Sequence, residues 1–295
     1  MAKDRVTLSA LWQQARAMLE KAEVEMPDRT AQWLFQYASG YTLHDFVMRQ
    51  DELVQTEVAD QFLALIARRQ AREPLQYLLN EAEFAGLLFY VDQRVLIPRY
   101  DTQVLLHVAQ EAIAEKEGEV VVVDIGTGSG AIAIALSVAQ KDKRHLRMYA
   151  TDISLDALAV AKINARRHGV IDAITFLQGS YVTALPIAEH KIDILIANPP
   201  YIAPQERVTM QPEVALYEPA LALFAEHEGY SAYETIIAQA QTRMDNEGIL
   251  AFEVGIGQAQ QVKALLLETF PKADVRFYQD DQGIDRVVCA RLKGY

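Results

Sequence analysis

Apolar residues recur every three to four positions through the first eighty residues. Val6, Leu8, Leu11, Trp12, Ala15, Met18 and Leu19 share one helical face. MPDRTAQWLFQYA offers Asp28 or Thr30 as a helix start, followed by Ala31, Leu34, Phe35 and Ala38. DELVQTEVADQFLALIARRQ reads as a third amphipathic helix, and the helical pattern ends near Arg72–Pro74. The period then shortens. In EFAGLLFYVDQRVLIPR, Phe84, Leu87, Phe89 and Val91 alternate in part, Asp92-Gln93 offers a turn, and Val95 and Ile97 alternate again. That pattern predicts a β-hairpin.

From about Thr102 the chain alternates between two kinds of segment. Strands are expected at EVVVVDI, LRMYATDI, AITFLQ, KIDILIAN, GILAFEVG, DVRFYQD and DRVVCARL, with helices at 130–139, 155–168, 229–245 and 258–269. Continuous apolar strands separated by helices predict an α/β fold with a mostly parallel sheet covered on both faces. Three domains are expected: a helical bundle over 1–80, a hairpin linker over 81–101, and an α/β domain over 102–295. Ligands of such sheets sit at the carboxyl ends of the strands.

Composition narrows the functional classes. The 295 residues are 51% hydrophobic, enough for a large core. A net charge of −12 disfavours binding nucleic acid through a broad electrostatic footprint, so no stable nucleic-acid complex is expected. One cysteine, Cys289, excludes an intramolecular disulfide and points to a reducing, cytoplasmic home. MAKDRVTLSALWQQ carries no apolar signal core, and no uncharged apolar run reaches the ~18 residues of a membrane span. Histidines 44, 107, 145, 168, 190 and 227 are scattered without ligand spacing, so no metal site is expected. The basic runs ARRQAR and NARRHG read as solvated helix faces.

The candidate chemistry lies at the expected strand ends. DILIANPPYIAP turns an apolar strand into Asn198, Pro199, Pro200 and Tyr201. Proline fixes its own φ and pushes the preceding residue into extended geometry. Stiff backbone carbonyls, the Asn198 side-chain oxygen and the Tyr201 face form an acceptor cluster suited to a planar NH₂ group; a proline-terminated turn is the plainer alternative. VVVDIGTGSGAIAIAL reads as strand, glycine turn and helix, with Asp124 ahead of Gly126, Thr127, Gly128, Ser129 and Gly130. The spacing is G-x-G-x-G, not the G-x-G-x-x-G of dinucleotide folds. A carboxylate at Asp124 repels a pyrophosphate and suits an ammonium group. Asp152 ends the next strand, where it can bind ribose hydroxyls or cap the following helix, as Ser154 can too. Ser180 and Tyr181 fit an adenine edge and ring, or a surface loop. Glu253 ends a strand, in the pocket or at its rim.

This ordered set resembles the class I S-adenosylmethionine-dependent methyltransferases, which implies a Rossmann-like, mostly parallel seven-stranded sheet and S-adenosylmethionine as cofactor. NPPY at the fourth strand end is shared by enzymes that methylate planar NH₂ nitrogens. More of the chain is similar to one branch, the HemK-type (PrmC) glutamine N5-methyltransferases of translation release factors. The similarity lies in Glu73-Pro74 with Tyr77, Leu96 to Arg99 with Thr102, NPPYI, YEPALAL at 217–223, FEVGIGQ at 252–258 and DQGIDRVV at 281–288. The resemblance implies a class-1 release factor as protein substrate, methylated on the glutamine of a Gly-Gly-Gln loop. It implies Asn198, Pro199, Pro200 and Tyr201 as the catalytic cluster. Arg99, Thr102 and Glu218 then position the substrate or the NPPY loop. Two departures stand out: Tyr100, Asp101, Thr102 and Gln103 replace P-E-T-E, and Ser180 replaces an adenine-side acid. Three other readings stay open: a glutamine methyltransferase of a large-subunit ribosomal protein, a nucleic-acid amino methyltransferase, and a non-catalytic S-adenosylmethionine sensor.

Overall fold

Hydroxyl and carboxylate caps set where the first helices begin. In the computed structural model, which describes residues 6–141, 146–186 and 191–294, α1 (Leu8–Lys21) is capped by the Thr7 hydroxyl, which accepts from Ala10 N. α3 (Leu43–Met48) opens on a capping box between Thr42 and Asp45. α2 (Pro27–Ser39) departs from expectation. It starts at Pro27, with Met26 left-handed and no side-chain cap, so neither Asp28 nor Thr30 begins it. The pre-set φ of proline takes that role. α4 (Thr56–Gln70) and the short α5 (Leu75–Leu79) complete the bundle. Its core centres on Phe35, whose ring meets Phe62, Phe46 and Tyr41 edge-on at 5.4–5.8 Å.

The chain forms two compact units, Met1–Asn80 with Gln211–Tyr217, and Glu81–Met210 with Glu218–Tyr295. Two details differ from the expected partition. The segment holding α9 (Pro212–Tyr217) belongs with the helices, because Glu213 sits between Arg69 at 2.9 Å and Arg72 at 2.8 Å, and the Tyr217 hydroxyl donates to Ala71 O. The hairpin belongs to the second unit and turns elsewhere. Its strands are β1 (Ala82–Phe84) and β2 (Leu87–Phe89), joined through Ala85-Gly86 at φ +50° and +75°. The chain also turns at Asp92-Gln93 as expected, where Val95 N donates to Asp92 O at 3.1 Å and the Asp92 carboxylate receives the Arg94 backbone N–H and guanidinium, but no strand follows. Buried Asn164 holds the hairpin exit by bonding both N and O of Tyr90.

The second unit continues through α6 (Thr102–Glu115), β3 (Val120–Ile125), α7 (Ala131–Gln140), β4 (Leu146–Asp152), α8 (Leu155–Arg167), β5 (Ile174–Gln178) and β6 (Ile192–Ala197). After α9 come α10 (Ala220–Leu223), α11 (Ser231–Ala240), β7 (Met244–Glu253), α12 (Ala259–Thr269), β8 (Asp274–Gln279) and β9 (Asp285–Arg291). The strand order is β5-β4-β3-β6-β7-β9-β8, parallel except for β9, which runs antiparallel to both neighbours. Every residue of β3 is buried, as a central parallel strand requires. The order reverses beside β3, where β4 and β6 flank it. That switch point opens a crevice at the carboxyl ends of the strands. Among the described residues no helix is long and apolar enough to cross a membrane. His145 and His190 lie outside the described residues.

Candidate active site

A cavity of about 360 Å³ occupies that crevice. Gly126, Gly128, Asp152, Ser180, Tyr181, Asn198 and Pro200 line it, all expected from the sequence. The strand ends are stitched together beneath it. Thr127 N donates to Thr151 O, and Gly179 N to Asp152 O, at 2.9 and 3.0 Å.

Asp152 is the carboxylate on this wall. Its Oδ2 accepts from Gly128 N and its Oδ1 from Ser154 N, each at 2.9 Å. The Ser154 hydroxyl caps α8 by accepting from Ala157 N at 3.1 Å. Capping is therefore done by Ser154, and Asp152 is left to brace the glycine turn while facing the cavity. Burial raises its pKa against the backbone N–H groups of Ser154, Gly128 and Ile153.

Asp124 does not line the cavity. It is 1% exposed beneath the glycine turn, where Oδ2 accepts from the Thr127 hydroxyl at 2.7 Å and from Ala133 N at 3.3 Å. Burial pushes it up to about 6. Thr127, Ser129 and Gly130 do not line the cavity either: the Thr127 hydroxyl donates to Asp124, and the Ser129 carbonyl accepts from Asn164. A side chain on Gly130 would strike Ile134 at 2.8 Å and Ala161 at 3.2 Å, so this glycine lets α7 pack on α8.

The acceptor loop leaves β6 at Ala197. Asn198 Nδ2 donates to the Thr102 hydroxyl at 3.2 Å. Pro199 is buried, whereas Pro200 reaches the cavity. Tyr201 packs against the apolar core instead of lining the cavity, and burial lifts its hydroxyl to about 12, so it stays protonated at neutral pH. Its carbonyl accepts from Gln258 Nε2 at 2.9 Å. Gly229 passes so close that a Cβ there would lie 2.2 Å from this oxygen.

Arg99 and Glu218 pair with each other. Glu218, 6% exposed, accepts from the Arg99 guanidinium and from Ile97 N at 3.2 Å. This pair anchors the segment before α6 to the stretch following α9. The Glu73 of the E-P-x-x-Y motif is buried in the helical unit, where it takes a two-pronged bond from Arg68 at 2.8 and 2.6 Å.

Several wall residues carried no chemical signal in the sequence. Arg94, Val95 and Leu96 line the cavity from the segment read as a second hairpin strand. Pro219, Leu221, Ala222, Phe224, Ala225 and Glu226 line it from the segment at α10. The motif YEPALAL marked that segment, but nothing in its residue types announces a wall.

Two protein families match this chain: the PrmC N-terminal domain over residues 10–79 and the methyltransferase small domain over 100–218. Among relatives, the release factor glutamine methyltransferase of Staphylococcus aureus is 37% identical over 260 residues, covering 88% of this chain and 90% of that protein. The protein of the same name from Geobacter sulfurreducens is 36% identical over 277 residues, 94% of each chain. That from Nitratidesulfovibrio vulgaris is 36% identical across 97% of this chain and 95% of its own. Among solved structures, the catalytic domain of hMettl16 with a MAT2A 3′UTR hairpin superposes with a TM-score of 0.58 at 17% identity, over 88% of this chain and 91% of that one, which shows the shared methyltransferase fold. With relatives matched nearly end to end and both of its units accounted for, the chain belongs to the release factor glutamine methyltransferase family.

Proposed function

We propose that this protein methylates the side-chain amide nitrogen of the glutamine in the Gly-Gly-Gln motif of a class-1 release factor, in the cytoplasm. S-adenosylmethionine is the methyl donor. The observation that carries the reading is one shared cavity: Asn198 at the end of β6, the glycine turn after β3 and the carboxylate of Asp152 at the end of β4 all line it.

The residues present fit that cofactor. Asp152 supplies an acceptor for ribose hydroxyls, Gly126 and Gly128 leave backbone exposed where a side chain would intrude, and Ser180 and Tyr181 supply a hydroxyl and a ring for the adenine end. When bound, the cofactor supplies an electrophilic methyl on a sulfonium, which needs no metal and no covalent enzyme intermediate. The protein's task is to prepare a poor nucleophile, since an amide lone pair is delocalised into its carbonyl. The Asn198 side-chain oxygen accepts one N–H of the incoming amide and the Pro199 carbonyl the other. These contacts orient the nitrogen and stabilise the positive charge that grows on it as the methyl–sulfur bond breaks and the methyl–nitrogen bond forms; the surplus N–H proton then leaves to water. Pre-aimed partners of this kind are worth about 10²–10³ in rate each. They also offset the cost of burying an amide, a few kcal/mol when its N–H groups are left unpaired.

The test is mass spectrometry of a full-length class-1 release factor after incubation with isotope-labelled S-adenosylmethionine. One labelled methyl is expected on the Gly-Gly-Gln glutamine, with none on Gln→Glu or Gln→Leu substrates. Label on a substrate lacking that glutamine, or only on DNA, RNA or a ribosomal protein, would overturn the assignment.

A further inference from the structure

A hydroxyl both donates and accepts, so the bond between Asn198 and Thr102 does not by itself decide which end of the Asn198 amide faces the cavity. If the Thr102 O–H pointed at Asn198, the amide would turn its oxygen inward and present NH₂ to the cavity. Donors would then meet the N–H groups of the substrate amide, and the cluster would repel what it is built to hold.

Glu253 stands where this ambiguity can be resolved. The register Ala197 opposite Phe252 puts Asn198 and Glu253 next to each other, one step further along adjacent parallel strands. Glu253 is 3% exposed and Thr102 5% exposed, and neither lines the cavity. The Thr102 hydroxyl and the Asn198 amide both favour the ionised Glu253 carboxyl against its burial, and its Oε2 is buried without a hydrogen-bond partner. A carboxylate there can only accept. Accepting a hydrogen bond from the Thr102 hydroxyl would leave the Thr102 oxygen to receive Asn198 Nδ2–H, the bond present at 3.2 Å.

We propose that Glu253 is a positioning residue: it sets the polarity of the Thr102 hydroxyl and thereby locks the Asn198 amide with its oxygen toward the cavity. The inference rests on the proposed role of Asn198 in binding the substrate amide. It explains why a carboxylate is kept in a position where burial is costly. The surrounding groups set its charge. Asp101 disfavours ionisation, Arg286 favours it while bridging Asp101 and Asp280 at 2.8 Å each, and the hydroxyls of Tyr201 and Tyr233 lie nearby. Burial prevails and brings the carboxyl to about 7. The protonated acid can donate to Thr102 and free it to donate to Asn198, so the lock weakens as pH falls through that value.

The experiment compares wild type, Glu253→Ala, Glu253→Gln, Thr102→Val and Thr102→Ser on full-length release factor. It measures kcat, KM for the release factor, the pH profile of kcat, and S-adenosylhomocysteine affinity. Glu253→Ala is expected to lower kcat by about 10- to 100-fold, less than loss of Asn198 itself, with cofactor affinity held within about threefold. Gln does not titrate but can donate as well as accept, so Glu253→Gln should recover only part of the lost rate and lose the limb near pH 7. Thr102→Ser keeps the hydroxyl and should rescue most of the rate that Thr102→Val loses. Thr102→Val should resemble Glu253→Ala, and the Thr102→Val, Glu253→Gln double variant should be no slower than Thr102→Val alone, because one path is cut once. An unaffected Glu253→Ala, an unaltered pH limb in Glu253→Gln, or additive losses would overturn the proposal. If Glu253→Ala does not fold, the Gln and Val variants decide alone. Wild type that fails to methylate the glutamine would refute the functional reading instead, a separate outcome.

Discussion

Replacing Asp152 by alanine separates cofactor binding from bracing of the glycine turn, the two roles its contacts leave open. The carboxylate spends one oxygen on Gly128 N and the other on Ser154 N. Its pKa is nevertheless raised, so burial outweighs those bonds and the ionised group does little for the empty fold at neutral pH. The gain comes when ligand hydroxyls add donors to a carboxylate that is already buried and aimed. Charge-assisted hydrogen bonds of that kind are worth about 1.5–3 kcal/mol, or roughly 10- to 150-fold in affinity. Titration calorimetry with S-adenosylhomocysteine should show that loss in Asp152→Ala, with a smaller change in thermal stability. Ser154→Ala is the control. It removes the α8 cap, costs about 1 kcal/mol of stability, and should leave affinity nearly unchanged. A folded Asp152→Ala with wild-type affinity would reduce Asp152 to a brace for the glycine turn and refute the ribose assignment.

Asn198→Ala should keep cofactor affinity while methyl transfer falls at least ~10²-fold in single-turnover assays; near-normal transfer would leave the NPPY segment a plain turn. Gly229→Ala places a methyl 2.2 Å from the Tyr201 carbonyl at φ +91°. Denaturant titration should register a loss of roughly 2–4 kcal/mol, and parental stability would contradict the close approach. Glu253 has a folded pKa of about 7 against an ordinary 4.5. The folded chain therefore holds a proton that the unfolded chain has released, and this contribution to stability, complete below the unfolded value, is lost as pH rises through about 7. Glu253→Gln should gain melting temperature relative to wild type between about pH 5 and pH 8, and a pH-independent difference would exclude the shift.

The sheet was legible because its central strands, β3 and β6, are buried on both faces. VVVVDI and DILIAN leave no room for a helical period, and glycine, aspartate and asparagine mark their carboxyl ends. What failed to show was set by distant partners. Asp92-Gln93 is a turn, but the hairpin closes earlier, at Ala85-Gly86, where Gly86 is the one turn signal and an alanine beside it takes φ +50°. Glu213 reads as an ordinary surface acid until Arg69 and Arg72, 144 and 141 residues earlier, close around it. The acid before the glycines was visible at once. That Thr127 and the first turn of α7 would claim Asp124 was not, since a motif gives spacing but not depth.

The same distinction explains how the NPPY segment is held. Two prolines make it stiff but remove two N–H groups, so it cannot be fixed by a ladder of its own. Its position depends on groups brought from elsewhere. Ile202 N donates to Leu223 O and Ala225 N to Ile202 O, at 3.0 and 2.9 Å, which ties the loop exit to the cavity wall at α10. Gln258 reaches back with both ends of its amide, giving Nε2–H to Tyr201 O and accepting from Gly255 N at 3.0 Å. At the loop entrance, Thr102 takes the Asn198 amide. Proline rigidity thus removes internal freedom from the segment, while side chains after β7 and at α6, and backbone groups beside α10, choose the single direction in which its carbonyls point. Stiffness without those anchors would hold the segment's carbonyls firmly relative to one another, but not relative to the cavity.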